Sequence, residues 1–112
     1  ADPTAVILYI SHTMADYDDE LVLVGSAWDG DHIDGMPYED IDEVLWTDTF
    51  EGVVTEVGDQ RQLNMPVHNL QPGWHQFSFS AKDRGGRWSP GASQMVWVVE
   101  ELHQIYLPNV VR

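Results

Sequence analysis

Apolar and polar residues alternate along this chain in short runs, and this period of two constrains the fold more than any other feature. Seven such runs, rich in β-branched and aromatic side chains, are separated by Gly, Asp, Asn and Pro. They are Ala5–Ser11, Glu20–Trp28, Ile41–Asp48, Glu51–Val57, Arg61–Val67, Gly73–Lys82 and Ser93–Glu101. The pattern predicts an all-β fold, a two-sheet antiparallel sandwich of about seven strands.

The same alternation predicts the core, because every second side chain of a strand points to the same face. Four runs each place an apolar set on one face: Leu21, Leu23, Gly25 and Ala27; Val44 and Trp46; Phe77, Phe79 and Ala81; Val96 and Val98. The last run differs, since its opposite face is also apolar, with Met95, Trp97 and Val99. We expect Leu23, Trp46, Phe77 and Phe79 at the centre of the core.

Length and composition indicate one domain. A chain of 112 residues, 43% of them hydrophobic, can bury one core but not two. We expect a sandwich domain over residues 1–101 and an apolar tail or linker over residues 102–112. No apolar run approaches the roughly 20 residues that span a bilayer. The opening ADPTA is not a signal peptide, so either a signal has been removed or the domain is cut from a longer protein.

Charge and cysteine content exclude several functions. The formal net charge is −14, and residues 1–59 hold sixteen acidic and no basic side chains. The charge therefore disfavours nucleic acid and anionic membranes as partners, because both would be repelled. The absence of cysteine excludes disulfides, thiolate zinc sites and thiol catalysis.

Several motifs, in order along the chain, resemble the immunoglobulin-like repeats of bacterial extracellular proteins, of the polycystic-kidney-disease (PKD) type and its relatives. The matched positions are Gly-x-x-x-Asp at Gly25 and Asp29; I-x-x-Y-x-W at Ile41, Val44 and Trp46, with Val in place of Tyr; L-x-x-G-x-H at Leu70, Gly73 and His75; and D-x-x-G-x-W-S at Asp83, Gly86, Trp88 and Ser89. The resemblance covers roughly residues 5–99. It implies an immunoglobulin-like, non-catalytic module of a larger secreted or cell-surface protein, acting as a spacer, adhesion or protein-interaction domain beside other domains.

The stretch WDGDHIDG, Trp28–Gly35, is the candidate metal site. It supplies carboxylates at Asp29, Asp31 and Asp34, and calcium binds six to eight such oxygens. In an immunoglobulin-like sandwich the loop after the sixth predicted strand lies at the same end, so Asp83 is a further candidate ligand.

A second interpretation of this acidic stretch competes with calcium. The spacing departs from the D-x-D-x-D-G calcium loop, since the third acid comes one residue late. Lys82, Arg84 and Arg87 lie at the same predicted end and can neutralise the carboxylates. A solvated or arginine-paired loop is therefore the first interpretation and a calcium site the second.

No residue pattern indicates an enzyme. The five histidines fall on different predicted elements, without zinc-motif spacing. We interpret His75 as a turn-entry residue whose ring hydrogen-bonds the neighbouring backbone. The serine in VGSAW, Ser26, runs along a strand instead of occupying a nucleophile elbow.

The tryptophans allow an alternative function. Trp46 is assigned to the core and Trp88 to a packing position of the repeat family, which leaves Trp28, Trp74 and Trp97 as candidate surface aromatics. Exposed Trp together with Asp would make the chain a carbohydrate-binding module with a glycan ligand.

The predicted strand Ser93–Glu101 is apolar on both faces, so we expect another segment to cover its outer face. The segment Leu102–Val111 is apolar and could cover residues 95–99 of its own domain, giving a monomer. Exchange of residues 102–112 between copies would instead give a dimer. The net charge opposes close approach of two copies, so we expect the monomer.

Overall fold

The computed structural model describes residues 3–28 and 41–99. Eight strands lie in these ranges, with one 3-10 turn: β1 (Thr4–Ile10), β2 (Met14–Asp16), β3 (Glu20–Trp28), β4 (Ile41–Phe50), β5 (Val53–Gly58), β6 (Gln62–Pro66), the turn Val67–Asn69, β7 (Gly73–Asp83) and β8 (Ala92–Val99). Over the same ranges no helix is long and apolar enough to cross a membrane.

The strands form two facing sheets. One has the order β1-β3-β6 and the other β2-β8-β7-β4-β5. Neighbouring strands pair antiparallel, apart from β2 and β8, which run parallel. The predicted all-β, immunoglobulin-like sandwich is confirmed.

The core lies between the sheets and is built from the predicted faces. Leu23, Trp46, Phe77 and Phe79 are fully buried, as the alternation indicated. The rings of Trp46 on β4 and Phe79 on β7 pack 4.7 Å apart, tilted by 45°. At about 25 cal/mol per Å² of buried apolar surface, such aromatic side chains contribute heavily to stability.

One glycine of β3 is needed for this packing. A Cβ atom on Gly25 would lie only 2.6 Å from the Phe79 ring, a distance that real Cβ contacts do not reach. The missing side chain therefore lets the phenyl ring of the facing sheet approach the β3 backbone.

The strand β2 was not predicted, and it changes the surroundings of β8. After β1, the carbonyl of Thr13 accepts the backbone N–H of Trp97 over 2.9 Å. Met14 then pairs with Trp97, and Asp16 pairs with Val99. Val99, which the alternation places on the outer face of β8, is only 8% exposed beside β2.

Candidate functional site

The turn after β7 is organised around Asp83. The backbone N–H of Asp83 donates to the Arg87 carbonyl over 2.9 Å, and the N–H of Gly86 donates to the Asp83 carbonyl over 3.1 Å. Gly86 has a φ of 88°, in the left-handed region that glycine adopts without strain. This is the physical reason for the glycine in D-x-x-G-x-W-S.

The Asp83 carboxylate accepts hydrogen bonds from the same turn. Its Oδ1 accepts the backbone N–H of Arg87 over 2.9 Å, and its Oδ2 accepts the Nε–H of that arginine over 3.1 Å. The backbone hydrogen bond from Arg87, assisted by the guanidinium charge, holds the pKa of Asp83 below its ordinary value. Asp83 is therefore an ionised carboxylate that stabilises its own loop.

Lys82 is held by the start of β4. Its ammonium lies 2.5 Å from a carboxylate oxygen of Glu43 and 3.7 Å from one of Asp42. The hydrogen bond to Glu43 raises the pKa of Lys82. The same ammonium lies 5.8 Å from the centre of the Trp88 ring, within cation–π range.

These contacts bear on the predicted metal ligands. Asp29, Asp31 and Asp34 lie outside the described residues, so the calcium site and the arginine-paired loop both stay predictions. The fourth ligand, Asp83, is 1% exposed, and calcium would compete with Arg87 for its oxygens. Among the residues that the structure describes, no group of three or more His, Asp or Glu side chains is placed to hold a metal ion.

A buried polar pair lies at the opposite end of β7. Nδ1 of His75 is 2.7 Å from Oδ2 of Asp48, and Nε2 is 2.6 Å from the carbonyl oxygen of Gln71. Phe50 stacks on the imidazole at 4.4 Å. The predicted bond from the His75 ring to neighbouring backbone is confirmed.

This arrangement has the geometry of the corner that immunoglobulin-like sandwiches build at the same place. There, a tyrosine near the start of the corresponding strand hydrogen-bonds backbone a few residues upstream. Here His75 bonds the backbone of Gln71, four residues upstream. Asp48 fixes the other side of the ring. We call His75, Asp48 and Gln71 the histidine corner.

The histidine corner holds its imidazole in a fixed and almost fully buried position. The imidazole and the carboxylate resemble two members of a catalytic triad, but both ring nitrogens already have partners. His75 is 2% exposed and Asp48 is 6% exposed. A general base must reach a substrate proton, and both nitrogens of this ring are already bonded within the protein.

Sequence reasoning missed Asp48, although a signal was present. Asp48 lies two residues after Trp46 and four after Val44, so the period of two places it on the core face of β4. An acid on a core face requires a buried partner. The core face of the strand Gly73–Lys82 offered one, because His75 precedes Phe77 by two residues.

An apolar groove marks the outer surface of the larger sheet. Trp74 of β7 is paired directly with Trp97 of β8, and their ring centres lie 4.9 Å apart with a tilt of 56°. Thr13, Met14 and Met95 complete the lining of a groove of about 600 Å³. We call these five residues the tryptophan groove.

The groove contains two of the three tryptophans predicted as surface aromatics. Trp74 is 56% exposed, whereas Trp97 and Trp28 are half-buried. Met95 is exposed as expected. Thr13 and Met14 were missed, because they lie on and beside the unpredicted strand β2.

Comparison with solved structures gives a likeness of fold. No protein-family model matches the sequence, and no curated protein matches it. Among solved structures, the chain is similar to the fibronectin(III)-like modules of Clostridium thermocellum CbhA, with 20% identity and a TM-score of 0.63. The match covers 88% of this chain and 47% of that chain, so this chain spans about half its length. The likeness supports an immunoglobulin-like fold in general and not the PKD type in particular.

Proposed function

We propose that this chain is a non-catalytic module of a larger extracellular protein, where it separates neighbouring domains or contacts a protein partner. The observation that carries the proposal is the immunoglobulin-like sandwich itself, shared with modules from a chain about twice as long. The motif matches at Gly73, His75 and Asp83 support an immunoglobulin-like repeat, and the PKD type is the relative that we favour on those motifs.

The polar chemistry of the described residues supports this non-catalytic role. The histidine corner and the turn at Asp83 hold the two most buried ionisable groups, and each uses its polar atoms to fix the backbone of a turn. Both arrangements shape the ends of the sandwich. Loops fixed in this way suit a rigid spacer.

The proposal is tested on the product of the full gene that encodes this chain. Limited proteolysis followed by mass spectrometry should release a resistant fragment that contains at least residues 1–101, bounded by other folded domains. Secretion of the full product should place it outside the cell. A gene product without further domains, or one retained in the cytoplasm, would contradict the proposal.

Exposure of Trp74 favours a second candidate, a carbohydrate-binding module. Aromatic rings that stack on sugars occur in such sites, and Trp74 is more than half exposed. The tilt of 56° between Trp74 and Trp97 argues against a flat platform for a crystalline polysaccharide. The same tilt leaves room for a single sugar chain.

A glycan array and pull-down on insoluble polysaccharides separate the two candidates. The spacer predicts equal, background retention for the wild type and for Trp74→Ala. Retention that Trp74→Ala abolishes and Trp88→Ala preserves would establish glycan binding instead. Trp88 is the matched control because it is 42% exposed at the other end of β7.

A further inference from the structure

The tryptophan groove brings several exposed, large apolar side chains together. Trp74, Met14 and Met95 are 56%, 51% and 46% exposed, and all three line the same depression. Scattered apolar side chains are normal on a protein surface, but contiguous apolar patches mark sites of contact.

The shape of the groove selects a type of occupant. The tilted rings of Trp74 and Trp97 form an angled wall, and two methionines flank it. Methionine side chains are flexible and polarisable, so they adapt to irregular aliphatic or aromatic side chains. The groove therefore fits an apolar peptide segment better than a flat ligand.

The position of the groove identifies the segment. Trp97 lies two residues before the end of β8 at Val99, or about 7 Å along the strand. The next thirteen residues, 100–112, lie outside the described residues and could extend up to ~45 Å. A turn near Glu100 and Glu101 is sufficient to bring the chain back over the groove.

The composition of this segment matches the groove. Residues 102–111 read LHQIYLPNVV, with no Asp, Glu, Lys or Arg in a chain of net charge −14. Six of the ten are large apolar residues, whereas Glu100 and Glu101 just before them favour water. We propose that residues 102–111 fold back and occupy the tryptophan groove of their own domain.

Two arguments favour the chain's own segment over that of a second copy. A segment tethered a few residues away has an effective concentration in the millimolar range, far above usual protein concentrations. The net charge of −14 also opposes close approach of two copies. This proposal does not depend on the function proposed above.

The test uses a single nitroxide label on the full chain. The sequence contains no cysteine, so Asn109→Cys provides one attachment site in the segment. The label should broaden the indole N–H signals of Trp74 and Trp97 in nuclear magnetic resonance spectra. Trp88 serves as the internal control, because it pairs with Lys82, eight residues and about 27 Å from Trp74 along β7.

The outcomes are exclusive. Broadening of Trp74 and Trp97 that is independent of concentration supports the proposal. A mixed sample reveals exchange: isotope-labelled chain without nitroxide is combined with nitroxide-bearing chain without isotope. Broadening in that sample means that a second copy fills the groove, which overturns the proposal. Unchanged signals in every sample mean that the groove is open and overturn it equally.

A pair of full-length variants gives an independent measurement. Leu107→Asp should release the segment and raise the accessibility of Trp74 to a soluble fluorescence quencher. Asn109→Asp adds the same charge at a polar position and should change quenching little. Equal quenching of Leu107→Asp and the wild type would contradict docking by this segment.

Discussion

Among the described residues, Trp46, Asp48 and His75 place polar groups within the apolar core. His75 is bonded on both sides, whereas Asp48 Oδ1 and Trp46 Nε1 have no hydrogen-bond partner among the described residues. A buried polar atom without a partner costs about 1–3 kcal/mol. These unpaired atoms therefore lower the stability of the core, whereas the hydrogen bonds of the histidine corner fix the backbone at the start of β7.

The histidine corner can be tested by removing one partner and then both. His75→Phe leaves the side chain of Asp48 buried without its hydrogen-bond partner, so we expect unfolding by urea to show a loss of about 1–3 kcal/mol. The double variant His75→Phe with Asp48→Leu should recover much of that loss, because an apolar pair needs no solvation. A double variant as unstable as His75→Phe alone would show that the bond from His75 to Gln71, and not its bond to Asp48, dominates.

The turn at Asp83 predicts a dependence on pH. The folded state lowers the pKa of Asp83 from its ordinary value of 3.8, so the unfolded chain binds the proton more readily. The stabilisation is present above about pH 4–5 and is lost as the pH falls through the lower, folded pKa. Asp83→Asn should therefore be less stable than the wild type near neutral pH, with a difference that shrinks in acid.

Urea unfolding of both proteins between about pH 6 and pH 3 measures this difference. Asp59→Asn is the matched control, because Asp59 is an exposed acid between β5 and β6. A stability difference for Asp83→Asn that stays constant over this range would refute a role for the ionised carboxylate.

At the scale of elements, β3 and β7 meet where Gly25 faces Phe79. Gly25→Ala places a methyl group against the phenyl ring, and overpacking of this type costs about 1–3 kcal/mol. The loss should appear as a lower urea midpoint with an unchanged slope. In a Phe79→Leu background the same glycine change should cost less, and an equal cost would show that the two positions are not coupled.

The period of two predicts the long strands but not β2. In β3 it places Leu21 and Leu23 inward without error, since nine residues repeat the pattern. Met14–Asp16 has only three residues, too few for a period. This strand forms because it pairs with the edge of β8. That pairing is a tertiary contact between segments over eighty residues apart in the sequence. For the same reason Met14 and Thr13 of the groove were not predictable.

At the scale of the whole molecule, acidic residues are concentrated in the first half of the chain. The sequence favours a solvated acidic stretch at Asp29, Asp31 and Asp34 over a calcium site. We therefore expect the same melting temperature in millimolar calcium and in chelator. Stabilisation in calcium, about 2.7 kcal/mol at a hundredfold excess over the dissociation constant, would assign the ion site instead. Asp29→Asn with Asp31→Asn should then abolish the effect.

The parallel pairing of β2 with β8 has a mechanical consequence. The chain enters β2 at Met14 and leaves β8 at Val99. Once β1 has separated from β3, tension between the two ends draws these strands along their axes in opposite directions. The bonds between them are then loaded together, in shear, instead of opening one by one as in a peeled hairpin. Forced unfolding depends on the barrier to the first rupture, and shared load raises that barrier. Three residues that carry no sequence period thus join the start of the chain to β8 through bonds that share the load.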